Sequence, residues 1–307
     1  MHALSAHHWD SLSEFLKERI DENGHVRDSL AWKKLYDVLK QAAQMQNRLR
    51  AKQQQQEPFQ RYAKIYDAVI GQPCLEGFMA NYLKVVQRQW ITDFARRNIL
   101  SLGCGTGLVE AHILEAFHMN PSQVYGIDVS AGMVEQARKR IRADVMDLLQ
   151  FEGQTEQWDL VYCGLNVFHY LPPDQLEAAI AKSASFLKSG GYFLGDFITT
   201  DHVRWYPNVI FSADEQVVSL RDPVLVESEG KMYQESEIFN IHKEAGELWI
   251  NYAGKHRRFL PPMWRIRSLF ERYFKGKVQL FDAHSMEAIG RDADTCPSTR
   301  YVMLANR

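Results

Sequence analysis

The sequence predicts an α/β fold carried by a mostly parallel sheet, and three observations point there. Ile99-Leu100-Ser101-Leu102 reads as the end of a buried strand, and Leu108 to Phe117 as the helix that follows it. Between them stands Gly103-Cys104-Gly105-Thr106-Gly107, with glycine at alternate positions. Gln123 to Ser130 then reads as a second strand ending at Asp128, 21 residues past Gly107. That is close to the ~20 at which a ribose-binding acid follows a glycine-rich turn.

Glycine tolerates positive φ and has no Cβ, so this turn lets backbone approach a ligand. The helix behind it offers unpaired N–H groups and a positive dipole end. No Gly-Lys-Ser/Thr follows, which excludes a phosphate loop. The spacing Gly-x-Gly-x-Gly also differs from the Gly-x-Gly-x-x-Gly of a nicotinamide dinucleotide turn. The Asp128 carboxylate can accept both hydroxyls of a ribose, a charge-assisted and selective contact. A helix over 131–141 follows. Then comes Arg142-Ala143-Asp144-Val145-Met146-Asp147-Leu148, a short third strand with an acid able to accept from an adenine amino group.

Leu-Gly-Cys-Gly-Thr-Gly, Gly-Ile-Asp-Val-Ser-x-x-Met-Val-x-x-Ala-Arg and Ala-Asp-Val-x-Asp-Leu, in that order, resemble the class I S-adenosylmethionine-dependent methyltransferases. Trp158 to Cys163 is similar to their fourth strand, and Phe186 to Leu194 to their helix, Gly-Gly turn and fifth strand. The resemblance covers roughly residues 58–200. It implies a Rossmann-like three-layer sandwich with a seven-stranded, mostly parallel sheet, and S-adenosyl-L-methionine as cofactor. The implied cofactor contacts are Tyr62, Gly103, Cys104, Gly105, Gly107, Asp128, Val129, Met133, Asp144, Val145, Cys163, Gly164 and Asn166. Cys104 is read as a backbone contributor rather than a nucleophile. One departure stands out: Ser101 occupies the place of the acid that helps relatives hold the cofactor's ammonium. The charge then has to come from elsewhere or is missing.

The remaining elements follow in chain order. Residues 8–20 and 28–56 read as helices, with Leu12, Phe15, Leu16, Ile20 and Trp32, Leu35, Tyr36, Leu39 at helical spacing. Asn23-Gly24 separates them as a cap and turn. Gln53 to Gln56 reads as a solvated helix end or linker. The expected organisation is therefore an N-terminal helical cap over 1–57 and a methyltransferase domain over 58–307. Phe59 to Ile70 resembles the Tyr-x-x-Ile-Tyr-Asp segment that folds over the methionine end in relatives. A face of Tyr62 or Tyr66 near a sulfonium has a physical basis, since the ring quadrupole attracts a cation. Simple packing of both rings is the alternative. Residues 75–95 supply a core helix with Phe78, Tyr82, Val86, Trp90 and Phe94.

Cys163 to Asp174 belongs at the carboxyl edge of the sheet, where ligands of open parallel sheets bind. Cys163 and Gly164 should line the methionine moiety by backbone, and Asn166 offers donors and an acceptor. His169 is a candidate general base, with Tyr66 and Asn166 as further catalytic candidates. A structural His169 is the competing reading. Residues 200–262 exceed the minimal fold. Val217 to Leu220, Lys231 to His242 and Glu247 to His256 alternate like strands, and Glu244 to Glu247 reads as a hairpin. This antiparallel β lid resembles the substrate lids of methyltransferases acting on metabolites. Lys255 to Arg258 is either a site for an acidic group or a solvated face. Ser268 to Tyr273, Lys277 to Ala283 and Arg300 to Ala305 complete the fold as helix, strand and strand.

Composition narrows the partners. A net charge of −2 argues against a general nucleic-acid or anionic-membrane binder. Four scattered cysteines, with no Cys-x-x-Cys, suit a cytoplasmic protein without a structural metal. No apolar run approaches 18 residues, so no membrane span is expected. The implied activity is methyl transfer to N or O of a small polar metabolite. Three alternatives stand beside it. Cyclisation of the cofactor to azetidine-2-carboxylate would release methylthioadenosine. An RNA methyltransferase is disfavoured by charge and by the lack of an Asn-Pro-Pro-Tyr-type motif after strand four. A non-catalytic scaffold is disfavoured by cofactor motifs intact apart from Ser101.

Overall fold

A computed structural model describes residues 7–50, 58–71, 80–88, 93–152, 155–244 and 247–307. The chain forms two compact units. One comprises residues 1–72, 203–226 and 234–257, the other residues 73–202, 227–233 and 258–307. The expected boundary at 57/58 is therefore not where the units divide. Residues 58–72 and most of the expected lid join the N-terminal helices.

The larger unit holds the seven-stranded sheet, in the order β10-β11-β5-β4-β1-β2-β3. Its strands are β1 (Ile99–Leu102), β2 (Val124–Asp128), β3 (Arg142–Val145), β4 (Trp158–Cys163), β5 (Leu187–Ile198), β10 (Val278–Asp282) and β11 (Arg300–Asn306). The first five pair in parallel, while β11 runs antiparallel between β5 and β10. Every residue of β1 and β4 is buried, as a strand covered on both faces requires. The polar member of β1, Ser101, therefore has to find a partner inside. The strand order switches sides between β1 and β4, and because these strands pair in parallel the ends of β1, β2, β4 and β5 share one carboxyl edge. Gly190-Gly191, expected as a turn before the fifth strand, lies within β5. The irregularity is taken up as a register shift between Trp158 and Leu160 of β4.

Helices α5 (Leu108–Ala116), α6 (Ala131–Ala137) and α7 (Leu176–Phe186) connect these strands, and α8 (Met263–Tyr273) precedes β10. Of the expected helix over 75–95, α4 (Ala80–Gln87) is described, with Tyr82 and Val86 buried. Phe78 and Trp90 lie outside the described residues. Side chains on both sheet faces build two cores, one around Phe193, Phe197, Phe270 and Phe274 and the other around Val86, Ile113, Val134 and Leu160.

The smaller unit carries α1 (His7–Lys17), α2 (Ser29–Arg50) and α3 (Pro58–Tyr66). Its sheet runs in the order β6 (Val209–Phe211), β7 (Val217–Ser228), β8 (Lys231–Glu244) and β9 (Glu247–Phe259). Trp9, Leu16, Trp32 and Tyr36 of the helices pack with Val218, Leu220, Phe239, Ile241 and Ile250 of that sheet. Gln53 to Gln56 and the hairpin residues Ala245-Gly246 lie outside the described residues.

Candidate active site

The glycine turn is tied to the second strand by its backbone. Gly103 and Cys104 both donate N–H to the Ile127 carbonyl, at 2.8 and 3.0 Å. Gly105 donates to Oδ2 of Asp128 at 2.9 Å, and Ser130 donates to Oδ1 at 2.8 Å. The acid at the end of β2 thus braces the turn with the lone pairs nearest the backbone. Gly103, Gly105 and Gly107 all have positive φ, at 68°, 54° and 72°. They differ in what a side chain would meet. A Cβ on Gly103 would stand 2.5 Å from Val167, and one on Gly107 3.2 Å from Ala137, whereas one on Gly105 meets nothing within 4 Å among the described residues. The open side of the turn is at Gly105.

Next to Asp128, Val129 is 66 % exposed, and Val145 at the end of β3 is 45 % exposed. The register places Asp128 beside Val145 at the carboxyl edge, with Val129 next along the chain. Two bare aliphatic side chains there suit the faces of a flat base. Met133 is buried in the first turn of α6, its N–H held by the Ser130 cap. Asp144 accepts from the Tyr125 hydroxyl at 2.7 Å and from Arg138 Nη2 at 3.0 Å, which hold its carboxyl below the usual range. Cys104 is buried and burial pushes its thiol pKa up, in keeping with a backbone role. Its side chain fills the space that the missing Cβ of Gly126 leaves.

The loop after β4 is set by two successive left-handed residues, Leu165 at φ 56° and Asn166 at φ 65°. Asn166 pays this strain back through bonds: its N–H donates to Asp196 Oδ1 at 3.1 Å, and its Oδ1 accepts from Arg300 Nη1 at 3.0 Å. Arg300 and Asp196 form a buried ion pair beneath. The carboxamide oxygen of Asn166 is therefore engaged, leaving its NH2 group for a ligand. Cys163 is buried with its thiol pKa raised by desolvation, so Cys163 can contribute through its backbone. A Cβ on Gly164 would collide with the Tyr162 hydroxyl at 2.1 Å, so that position is closed to any other residue.

His169 is not a general base in this structure. It is 2 % exposed, and both ring nitrogens are used by backbone. Ile198 donates its N–H to Nε2 at 3.0 Å, which leaves the proton on Nδ1 to donate to the Phe259 carbonyl at 2.5 Å. Burial, helped by Arg258 and Arg300, lowers its pKa to about 3. The ring is a neutral strut between the end of β5 and the end of β9. The structural reading of His169 prevails because no nitrogen is left to receive a proton.

Tyr62 and Tyr66 lie in the smaller unit. The Tyr62 hydroxyl accepts from Arg221 Nη2 at 3.1 Å, and its ring meets that of Tyr66 edge to face at 5.2 Å between centroids. The basic run Lys255 to Arg258 is divided by strand alternation. Lys255 and Arg257 pair with Glu235 on one face. His256 and Arg258 are buried, and Arg258 Nε donates to the Tyr170 hydroxyl at 2.9 Å.

Glu110, Asp196 and Arg300, which support the turn and the loop from beneath, carry little or no signal in the sequence. Ser101 Oγ donates to Glu110 Oε1 at 2.5 Å, deep under the turn. Glu110 stands three and four residues before Ile113 and Leu114, on the buried stripe of α5. A charge on an apolar stripe was the readable signal. Asp196 and Arg300 had none, because their pairing joins residues 104 positions apart.

Sheet order, crossover pattern and a glycine turn braced by the acid of β2 define an α/β nucleotide-binding fold of the class I methyltransferase type. Comparison with known proteins agrees. Residues 99–191 match the model of a methyltransferase domain family. An uncharacterized methyltransferase from Anoxybacillus flavithermus is 33% identical over 96 residues, covering 30% of this chain and 43% of that protein. The chain thus spans less than half the length of that curated relative. Among solved structures, an S-adenosylmethionine-dependent methyltransferase from Clostridium acetobutylicum aligns with TM-score 0.60 at 15% identity, over 81% of this chain and 98% of that one. CalS10, an amino pentose methyltransferase from Micromonospora echinaspora solved with S-adenosylmethionine bound, aligns with TM-score 0.51 at 16% identity, over 74% and 91%. Residues 99–191 are thus similar to a methyltransferase domain, within a fold shared with S-adenosylmethionine-dependent methyltransferases.

Proposed function

We propose that the protein is an S-adenosylmethionine-dependent methyltransferase acting on N or O of a small polar metabolite. The observation that carries this is the open face at Gly105, flanked by the Asp128 carboxylate and the exposed side chains of Val129 and Val145. Each part fits a piece of the cofactor: the turn a close approach, the acid a ribose, the two valines a purine. Among the described residues no group of three or more His, Cys, Asp or Glu could hold a metal. No described helix is long and apolar enough to cross a membrane. Sugar and amino pentose methyltransferases among solved relatives of the fold support a metabolite-sized acceptor.

The cofactor, when bound, supplies a methyl carbon already activated by its sulfonium. The protein then has to position rather than react. Asp128 fixes the ribose, Val129, Val145 and Met133 border the base, and Asp144 is the nearest acid for its amino group. Backbone at Gly103, Cys104, Gly107, Cys163 and Gly164 shapes the channel, and the Asn166 NH2 faces the amino acid end. With His169 removed as a base, the acceptor is expected to attack as a neutral amine or through a base outside this set.

Incubation of the purified protein with S-adenosylmethionine and cell extract, read by mass spectrometry, tests the proposal. The expected products are S-adenosylhomocysteine and a methylated metabolite. Methylthioadenosine in its place would replace methyl transfer by cyclisation. Calorimetry without any heat of cofactor binding would remove the reading altogether.

A further inference from the structure

Glu110 sits in the first turn of α5, immediately behind the glycine turn. It is 2 % exposed. Oε1 is held by Ser101, while Oε2 is buried with no hydrogen-bond partner among the described residues. Leaving a buried acceptor unmet costs about 1–3 kcal/mol, and more for an ionised group. Such an atom calls for an explanation, and a group bound from outside the chain is one.

The surroundings say what that something is. The charged groups acting on Glu110 flank the turn. Asp128 at the end of β2 disfavours its ionisation and Arg140 after α6 favours it. Glu110 in turn acts on the Cys104 thiol of the turn and the Tyr162 phenol of β4. Two carboxyl groups thus share the neighbourhood, and burial holds the Glu110 carboxyl up at about 7. An approaching anion would be repelled, whereas a cationic hydrogen-bond donor would satisfy Oε2 and offset both carboxylates. Asp128 already serves the ribose position, so the donor belongs to the other end of the ligand.

We propose that Glu110, steadied by Ser101, receives the ammonium of the cofactor's amino acid end and gives up its proton to solvent as it does so. The inference rests on the cofactor reading above. It also supplies the acid absent at Ser101, from the following helix instead of the strand. The balance is simple: the Glu110 O–H bond breaks, the proton leaves to buffer, and the carboxylate accepts an N–H of the ammonium. No covalent bond to the ligand forms.

The test is calorimetry at pH 7 in buffers of low and high ionisation enthalpy, with S-adenosylmethionine, S-adenosylhomocysteine and 5′-methylthioadenosine. The last keeps the adenosine but has no ammonium. The wild type should release a fraction of a proton with the first two ligands and none with the third. Glu110→Gln should abolish the release and weaken the two ammonium ligands about ten- to a hundredfold. Methylthioadenosine should change by less than about threefold. Equal proton release for all three ligands, or equal loss of all three in Glu110→Gln, would overturn the assignment. If Glu110→Gln fails to fold, the wild-type comparison alone decides it. A wild type that binds none of the three would instead sink the cofactor reading.

Discussion

Two buried titratable side chains under the active edge shift in opposite senses, and the pH dependence of stability should show both. Burial raises the folded pKa of Glu110 to about 7 from an ordinary 4.5. Between those values the folded chain keeps a proton that the unfolded chain has released. Stability contributed here is therefore lost as pH rises through the window, by about 3 kcal/mol for an isolated group. Urea unfolding of Glu110→Gln should be flatter between pH 5 and 8 than that of the wild type. His169 has a folded pKa of about 3 against 6.5. There the unfolded chain holds the extra proton, so stability is lost as pH falls from about 6.5 towards 3. His169→Phe would leave the Ile198 N–H and Phe259 carbonyl unmet, costing about 2–4 kcal/mol. A catalytic base would instead lose kcat while unfolding normally.

The glycine turn shows how one motif combines separate demands. Gly103→Ala should destabilise, since its Cβ would press on Val167 in addition to the strain of positive φ. Gly105→Ala has space for its methyl and should cost only about 1 kcal/mol in stability. Yet that methyl stands where the ligand approaches, so cofactor affinity should fall at least about tenfold. Thermal unfolding and calorimetry on the two variants separate the effects. A Gly105→Ala protein with normal affinity would mean that the turn's open face is not the ligand face. This turn, β1, β2 and Asp128 were legible because glycine spacing and apolar runs are local signals. Glu110 was half-legible as a charge on an apolar stripe. The ties of His169 to Ile198 and Phe259 were not, because backbone groups carry no residue identity.

At the scale of the molecule, the sequence distinguished helices, parallel sheet and antiparallel strands but not the grouping of segments. Amphipathic α1 and α2 announce that they need a partner, and nothing local says that it is β6–β9, reached some 150 residues later. Within that unit Tyr62 is 2 % exposed and its hydroxyl meets the buried Arg221. Tyr62→Phe should therefore lower stability by about 1–3 kcal/mol and change affinity for S-adenosylmethionine and S-adenosylhomocysteine alike. A selective loss for the sulfonium ligand would return Tyr62 to the cofactor site.

The smaller unit is assembled from residues 1–72, 203–226 and 234–257. A ribosome adding ~5–20 residues per second would need about 10–40 s to travel from the end of the first segment to the end of the last. Throughout that interval Trp9, Leu16, Trp32 and Tyr36, later sealed against the sheet, have no sheet to bury them. The nascent chain thus carries two sticky amphipathic helices while the whole of β1 to β5 is being made. Expression yield should respond to holdase chaperones more strongly than the finished protein's stability would suggest, and slowing translation should aggravate aggregation.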